Sequence, residues 1–166
     1  MIPVRRATVD DAAAIGRAHA ASWRAAYRQL GDAFIASIVD QERIDLWTRV
    51  LAEDDGAAFV GPADDPQAFV YFGPSRDDNA PTHVGEVFSM YAAPAVWGTG
   101  VGRALMQAAV NALRSDGFTE ATLWVLEDNP RARRFYELAG WTADGATKRQ
   151  TWRGVDVDEV RYRVTL

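Results

Sequence analysis

The sharpest chemical feature of the chain is a glycine-rich turn, Trp97-Gly98-Thr99-Gly100-Val101-Gly102-Arg103, which follows a strand-like run and opens a helical one. Backbone without Cβ atoms admits a ligand closely, and the unpaired N–H groups and positive dipole end of a helix N-terminus favour an anion. Arg103 adds charge on the first turn. Taken alone, the segment is either a phosphate cradle or a plain tight turn. Two phosphate chemistries are disfavoured by residue type. A Walker loop needs Lys and then Ser or Thr after its last glycine, where this chain has Arg103-Ala104. The dinucleotide pattern G-x-G-x-x-G, begun at Gly98, requires its third glycine at the position held by Arg103.

Two further groups carry ionisable or hydroxyl chemistry. Asn129 and Tyr136 are seven residues apart, about 700° around a helix, so they project from nearly the same face and one ligand can touch both. Outside any motif, Tyr136 reads as a half-buried helix aromatic. Glu86 begins Glu86-Val87-Phe88-Ser89-Met90, and strand alternation puts Glu86, Phe88 and Met90 on one face. The carboxylate then either points into an apolar cleft, where burial raises its pKa, or sits exposed at a strand end.

The elements that must position these residues can be read from periodicity and punctuation. Pro3 to Ala7 predicts a short strand, and Thr8 with Asp11 resembles a capping box opening a helix toward Leu30, stopped by Gly31. Asp32 to Leu51 predicts a second helical region broken near Asp40. Asp54-Asp55-Gly56 is a turn signal. Ala57 to Val60, Gln67 to Phe72 and Val84 to Tyr91 predict an antiparallel meander, and the helix after the glycine turn buries Val101, Leu105, Met106, Ala109, Val110 and Leu113. Ala121 to Leu126 is a near-continuous apolar run, as for a strand covered on both faces. Asn129 as N-cap, Pro130 at the first position and Gly140 beyond the end punctuate a short helix. Trp141 to Trp152 and Val157 to Thr165 finish as two strands. The order predicts one α+β domain over residues 1–166, a mixed sheet with helices on its faces.

Residues 86 to 141 resemble the GNAT family of acetyl-coenzyme A dependent N-acetyltransferases. The family's phosphate pattern, Arg or Gln-x-x-Gly-x-Gly or Ala, falls on Trp97-Gly98-Thr99-Gly100-Val101-Gly102, with Trp97 where Arg or Gln usually stands. Its second signature is similar to Asn129-Pro130-Arg131-Ala132-Arg133-Arg134-Phe135-Tyr136-Glu137-Leu138-Ala139-Gly140-Trp141. Opening and closing segments look like family edges, so the resemblance extends over nearly the whole chain. It implies the GNAT fold, a mostly antiparallel mixed sheet flanked by helices, and direct transfer of acetyl from acetyl-CoA to a primary amine. It further implies that residues 97–103, Asn129, Ala132, Arg133 and Tyr136 hold the coenzyme, with the backbone of Met90, Tyr91 and Ala92 along pantetheine like an added strand. Tyr136 becomes the group near the departing sulfur and Glu86 the base, directly or through water. Trp23 and Tyr27 line the acceptor pocket, and Trp124 either borders it with them or packs in the core, the reading preferred for it. The loop Ser75 to Thr82, with Asp77 and Asp78, either meets a cationic substrate or, the preferred reading, is a solvated charge run.

Composition closes off other classes. Eighteen Lys and Arg against 23 Asp and Glu leave a net charge of -5, which argues against the broad basic surface of a nucleic-acid binder. Without cysteine there is no disulfide framework or thiolate zinc site, and His19 and His83 alone do not make a histidine cage, so no metal is expected. The longest uncharged run, Val87 to Gly102, is 16 residues with Pro94 and three glycines inside it, too short to span a bilayer. The start lacks a signal-peptide core, giving a cytoplasmic expectation. The acceptor is a small-molecule or peptide amine of unread identity, and a homodimer stays open. Two rival functions survive: a coenzyme A binding or sensing module without turnover, and a nucleotide-linked oxidoreductase. Lys148, the chain's only lysine, is assigned no role by this reading.

Overall fold

Alternating and continuous apolar runs pair edge to edge into a seven-stranded sheet of order β1-β2-β3-β4-β5-β7-β6, in a computed structural model that describes residues 1–53 and 55–166. The strands are β1 (Arg5–Arg6), β2 (Ala57–Gly61), β3 (Ala68–Pro74), β4 (Val84–Ala92), β5 (Glu120–Leu126), β6 (Thr142–Trp152) and β7 (Val155–Thr165). Every neighbouring pair is antiparallel except β4 with β5. The expected mixed, mostly antiparallel sheet is therefore present, as is the meander β2-β3-β4.

The helices are α1 (Ala12–Ala26), α2 (Asp32–Ala36), α3 (Asp40–Glu53), α4 (Val101–Ser115) and α5 (Pro130–Leu138). The predicted break near Asp40 separates α2 from α3. The first helix is shorter than expected: Tyr27 leaves helical geometry at φ -116°, and a separate 3-10 turn covers Arg28–Leu30. Its start matches the sequence reading, since Thr8 N–H donates to Asp11 Oδ2 at 2.8 Å and Arg5 clamps the same carboxylate from both guanidinium ends. Of the Asp54-Asp55-Gly56 turn, Asp54 lies outside the described residues.

Both sheet faces are covered. Against one face α4 and α5 bury Val101, Leu105, Ala109, Leu113 and Tyr136 with Val87, Leu123 and Tyr162. On the other, α1 and α3 bury Ile15 and Trp47 with Phe69 and Tyr71, while Tyr27, Phe34 and Ile38 close a third cluster with Leu126 and Val157. β5 is accordingly apolar nearly throughout, the pattern of a strand with helices on both sides.

Candidate active site

The site begins where two strands part. β4 and β5 pair only over Val84–Val87 with Glu120–Leu123. Beyond that point β4 continues to Ala92 against β3 alone, and β5 continues to Leu126 against β7 alone. At the parting β4 carries a bulge: Tyr71 faces Ser89 and Phe72 faces Val87, leaving Phe88 as the extra residue. A bulge adds local twist and resets which face later side chains occupy. This corrects the expected shared face of Glu86, Phe88 and Met90. Phe88 packs with Trp47 and Tyr71 on the α1–α3 side, whereas Met90 packs beside Leu105 and Phe135 on the α4–α5 side. The gap opens into a cleft of about 1270 Å³ lined by both strands, the glycine turn, α5 and the β6–β7 hairpin.

One half of the cleft is built to meet an anion. Gly98 and Gly100 hold φ of +75° and +93°, a left-handed region natural to glycine, and Gly100 is the N-cap of α4. A Cβ added at either would meet no atom within 4 Å, so the space over the turn is open to a ligand. Gly98, Gly100, Val101, Gly102 and Arg103 face the cleft, with Arg131 and Arg134 opposite. Trp97 locks the turn to β4 through Nε1, which donates to Ala92 O at 2.8 Å, and its ring lies 3.6 Å beneath the Arg131 guanidinium. A cation from α5 thus stands beside the position where the sequence has tryptophan. Two expected contacts fall elsewhere. The Thr99 hydroxyl turns inward and donates to Val96 O at 2.7 Å. Arg133 donates from Nε to the Tyr162 hydroxyl and from Nη1 to Glu127 O, tying α5 to the sheet instead of lining the cleft.

Asn129 caps α5 as expected, its Oδ1 accepting from Ala132 N at 3.1 Å, and with Tyr136 it lines the cleft. Tyr136 is 9% exposed. Burial, with the nearby Tyr91, drives its pKa well above the usual phenol range. Glu86 is buried and accepts from Arg76 N at 2.8 Å and Ser75 Oγ at 3.1 Å. Both bonds fall on Oε2, and Oε1 takes no hydrogen bond among the described residues. Burial raises the Glu86 pKa against the lowering effect of those donors.

The far half of the cleft holds side chains that sequence reasoning passed over. Glu159 on β7 is buried and accepts from Gln150 Nε2 at 2.8 Å, with Lys148 Nζ at 3.7 Å; burial raises its pKa too, against the lowering effect of the Lys148 ammonium. Lys148 lies 4.3 Å over the ring of Trp124. Trp124 therefore lines the cleft rather than packing in the core, and its Nε1 donates to Asp77 at 2.8 Å. Asp77 also takes Arg161 at 2.9 Å, so the Ser75–Thr82 loop is pinned by charge and is no freely solvated run. Tyr27 reaches the cleft, but Trp23 does not: it stacks 5.3 Å from Trp152, which lines the site in its place. Cross-strand register, which one sequence does not print, is what gathers Lys148, Gln150, Trp152 and Glu159. Among the described residues no group of His, Asp and Glu is placed to hold a metal ion, and no helix is long and apolar enough to cross a membrane.

The sequence model of the Acetyltransferase (GNAT) family matches residues 19–141. YuaI of Bacillus subtilis (strain 168), named an uncharacterized N-acetyltransferase, is 28% identical over 137 residues, covering 78% of this chain and 75% of that protein. Rv2775 of Mycobacterium tuberculosis, named a "probable N-acetyltransferase", is 26% identical over 178 residues, covering 98% of this chain and 93% of its own. Among solved structures, the PaiA N-acetyltransferase of Thermoplasma acidophilum in complex with coenzyme A superposes with a TM-score of 0.73 at 17% identity, covering 100% of this chain and 99% of that one.

Proposed function

The chain belongs to the acetyltransferase (GNAT) family and is an acyltransferase, and from that premise we propose that it transfers acetyl from acetyl-CoA to a primary amine in a ternary complex. The observation that carries this reading is the union, in one cleft, of an open anion-binding helix N-terminus with a buried carboxylate and a buried phenol. The coenzyme fits the residues present. Its phosphates suit the amides of Gly98 to Arg103 and the Arg103, Arg131 and Arg134 cations, and its extended arm suits the edge of β4 that β5 leaves without a strand partner. Acetyl-CoA supplies the activated acyl carbon.

The protein's own groups then have two tasks. An alkylamine of pKa ~10.4 is protonated at pH 7, and freeing its lone pair costs about 4.6 kcal/mol. Glu86, whose Oε1 takes no hydrogen bond among the described residues and whose basicity is raised by burial, receives that proton directly or through water. At the other end, a thiol of pKa ~8.5 leaves readily as thiolate. Tyr136, held firmly protonated by burial, acts by a hydrogen bond that strengthens as sulfur gains charge, and not by early proton donation.

The test is calorimetry with acetyl-CoA, NAD and ATP, followed by thiol release across a panel of amines. Acetyl-CoA binding with amine-dependent thiol release is expected. NAD binding without acetyl-CoA binding would sink the reading, and acetyl-CoA binding without thiol release would make the protein a coenzyme sensor.

A further inference from the structure

We propose that Lys148 is a self-acetylation site, an amine of the chain's own that enters the acyl-transfer cleft. This rests on the acetyltransferase reading and extends it to a second acceptor. Lys148 is the only lysine among 166 residues, and its side chain, 35% exposed, lines the cleft. It lies on β6 directly opposite Glu159 in register, and its ammonium reaches across β7 to lie over Trp124 of β5. Trp124 is the first residue of β5 past the last pair with β4, so the amine stands where the two strands part. Register also fixes the face. Thr122 pairs with Glu86, and Trp124, Arg161 and Glu159 follow on that side by alternation, so Lys148 and Glu86 face the same half of the cleft.

A proton acceptor stands beside the amine. Glu159 Oε2 is 3.7 Å from Nζ, and Glu159 is itself buried and steadied by Gln150. Trp124 fixes the ammonium by its ring face, a contact that persists with the neutral amine as plain packing. In the step, Nζ gives one proton to Glu159 and its lone pair attacks the acetyl carbon. The N–C bond forms and the C–S bond breaks. The thiolate takes up the second nitrogen proton, Glu159 releases the first to solvent, and nothing is oxidised or reduced.

The experiment incubates the full chain with acetyl-CoA and no added acceptor, reading intact mass and then peptide maps, with the urea-unfolded chain as the background. One acetyl group on Lys148 is expected, added roughly 10²-fold faster than in the unfolded chain, and absent from Lys148→Arg. Glu159→Gln should slow the modification at neutral pH and recover it as pH nears the range of lysine, whereas a merely structural Glu159 would leave the pH profile in place. Equal rates in folded and unfolded chain, or acetyl on the Met1 amine alone, overturn the proposal. If added amines release thiol while Lys148 stays unmodified, self-acetylation falls and the acetyltransferase reading stands. If acetyl-CoA binds and neither added amines nor Lys148 receive acetyl, both fall.

Discussion

Removing one atom group at a time separates the two proton roles. Tyr136→Phe keeps the ring contacts with Trp141 and Tyr162 and deletes only the hydroxyl. Turnover should fall by roughly 10²-fold while acetyl-CoA affinity stays near wild type, measured by thiol release beside calorimetry. Full turnover in this variant would take Tyr136 out of the chemistry. Glu86→Gln keeps an oxygen for Arg76 N–H and Ser75 Oγ but cannot accept a proton. Its rate should be depressed at neutral pH and climb toward the amine pKa, and an unchanged pH-rate profile would leave water as the base. Both candidates could be picked out in the sequence, Tyr136 inside the Asn129–Trp141 motif and Glu86 on the strand that leads to the glycine turn. Glu159 and Lys148 could not, because both lie on the β6–β7 hairpin beyond the Asn129–Trp141 motif and only the β6–β7 register brings them to the cleft.

Elements explain why the motif works where it does. The glycine turn connects the end of β4 to α4, so the first α4 amides point to the parting of the strands, and left-handed Gly100 makes the reversal tight enough. Gly100→Asp puts a Cβ at φ +93° and a negative charge into the cradle. Acetyl-CoA binding should become undetectable by calorimetry while the far-ultraviolet circular dichroism of the fold persists. A folded variant with wild-type affinity would place the coenzyme elsewhere. Element types and order were readable from periodicity and caps, as with the break before α3 and the Asn129-Pro130 start of α5. The bulge at Phe88 was not. It comes from how β4 meets β3, and it moved Met90 away from the face that strict alternation assigned.

At the scale of the whole molecule, stability is tied to pH through a residue remote from the motifs. His19 is 5% exposed; its Nδ1 accepts from Trp47 Nε1 at 3.0 Å, its Nε2 has no partner among the described residues, and burial lowers its pKa to about 3. Between there and an ordinary histidine value of ~6.5 the unfolded chain binds a proton that the folded chain refuses, so stability rises with pH across that window and is lost below it. Glu86 and Glu159, raised by burial, act in the opposite sense just above the ordinary carboxylate pKa of ~4.3 and temper the slope. Urea midpoints should fall between pH 7 and pH 4.5, and His19→Gln should flatten that fall; a wild-type midpoint independent of pH would refute the assignment. The parted strands have one more consequence at this scale. A strand flank without a partner usually lies at the rim of a sheet, where it invites foreign chains and must be guarded by charge or brevity. Here such a flank, Phe88–Ala92, lies in the middle of the sheet with helices on both sides. The hazard of aggregation is thereby turned into selective hospitality: a narrow chain-like guest can dock there, while another protein's β-strand is kept out by the fold around it.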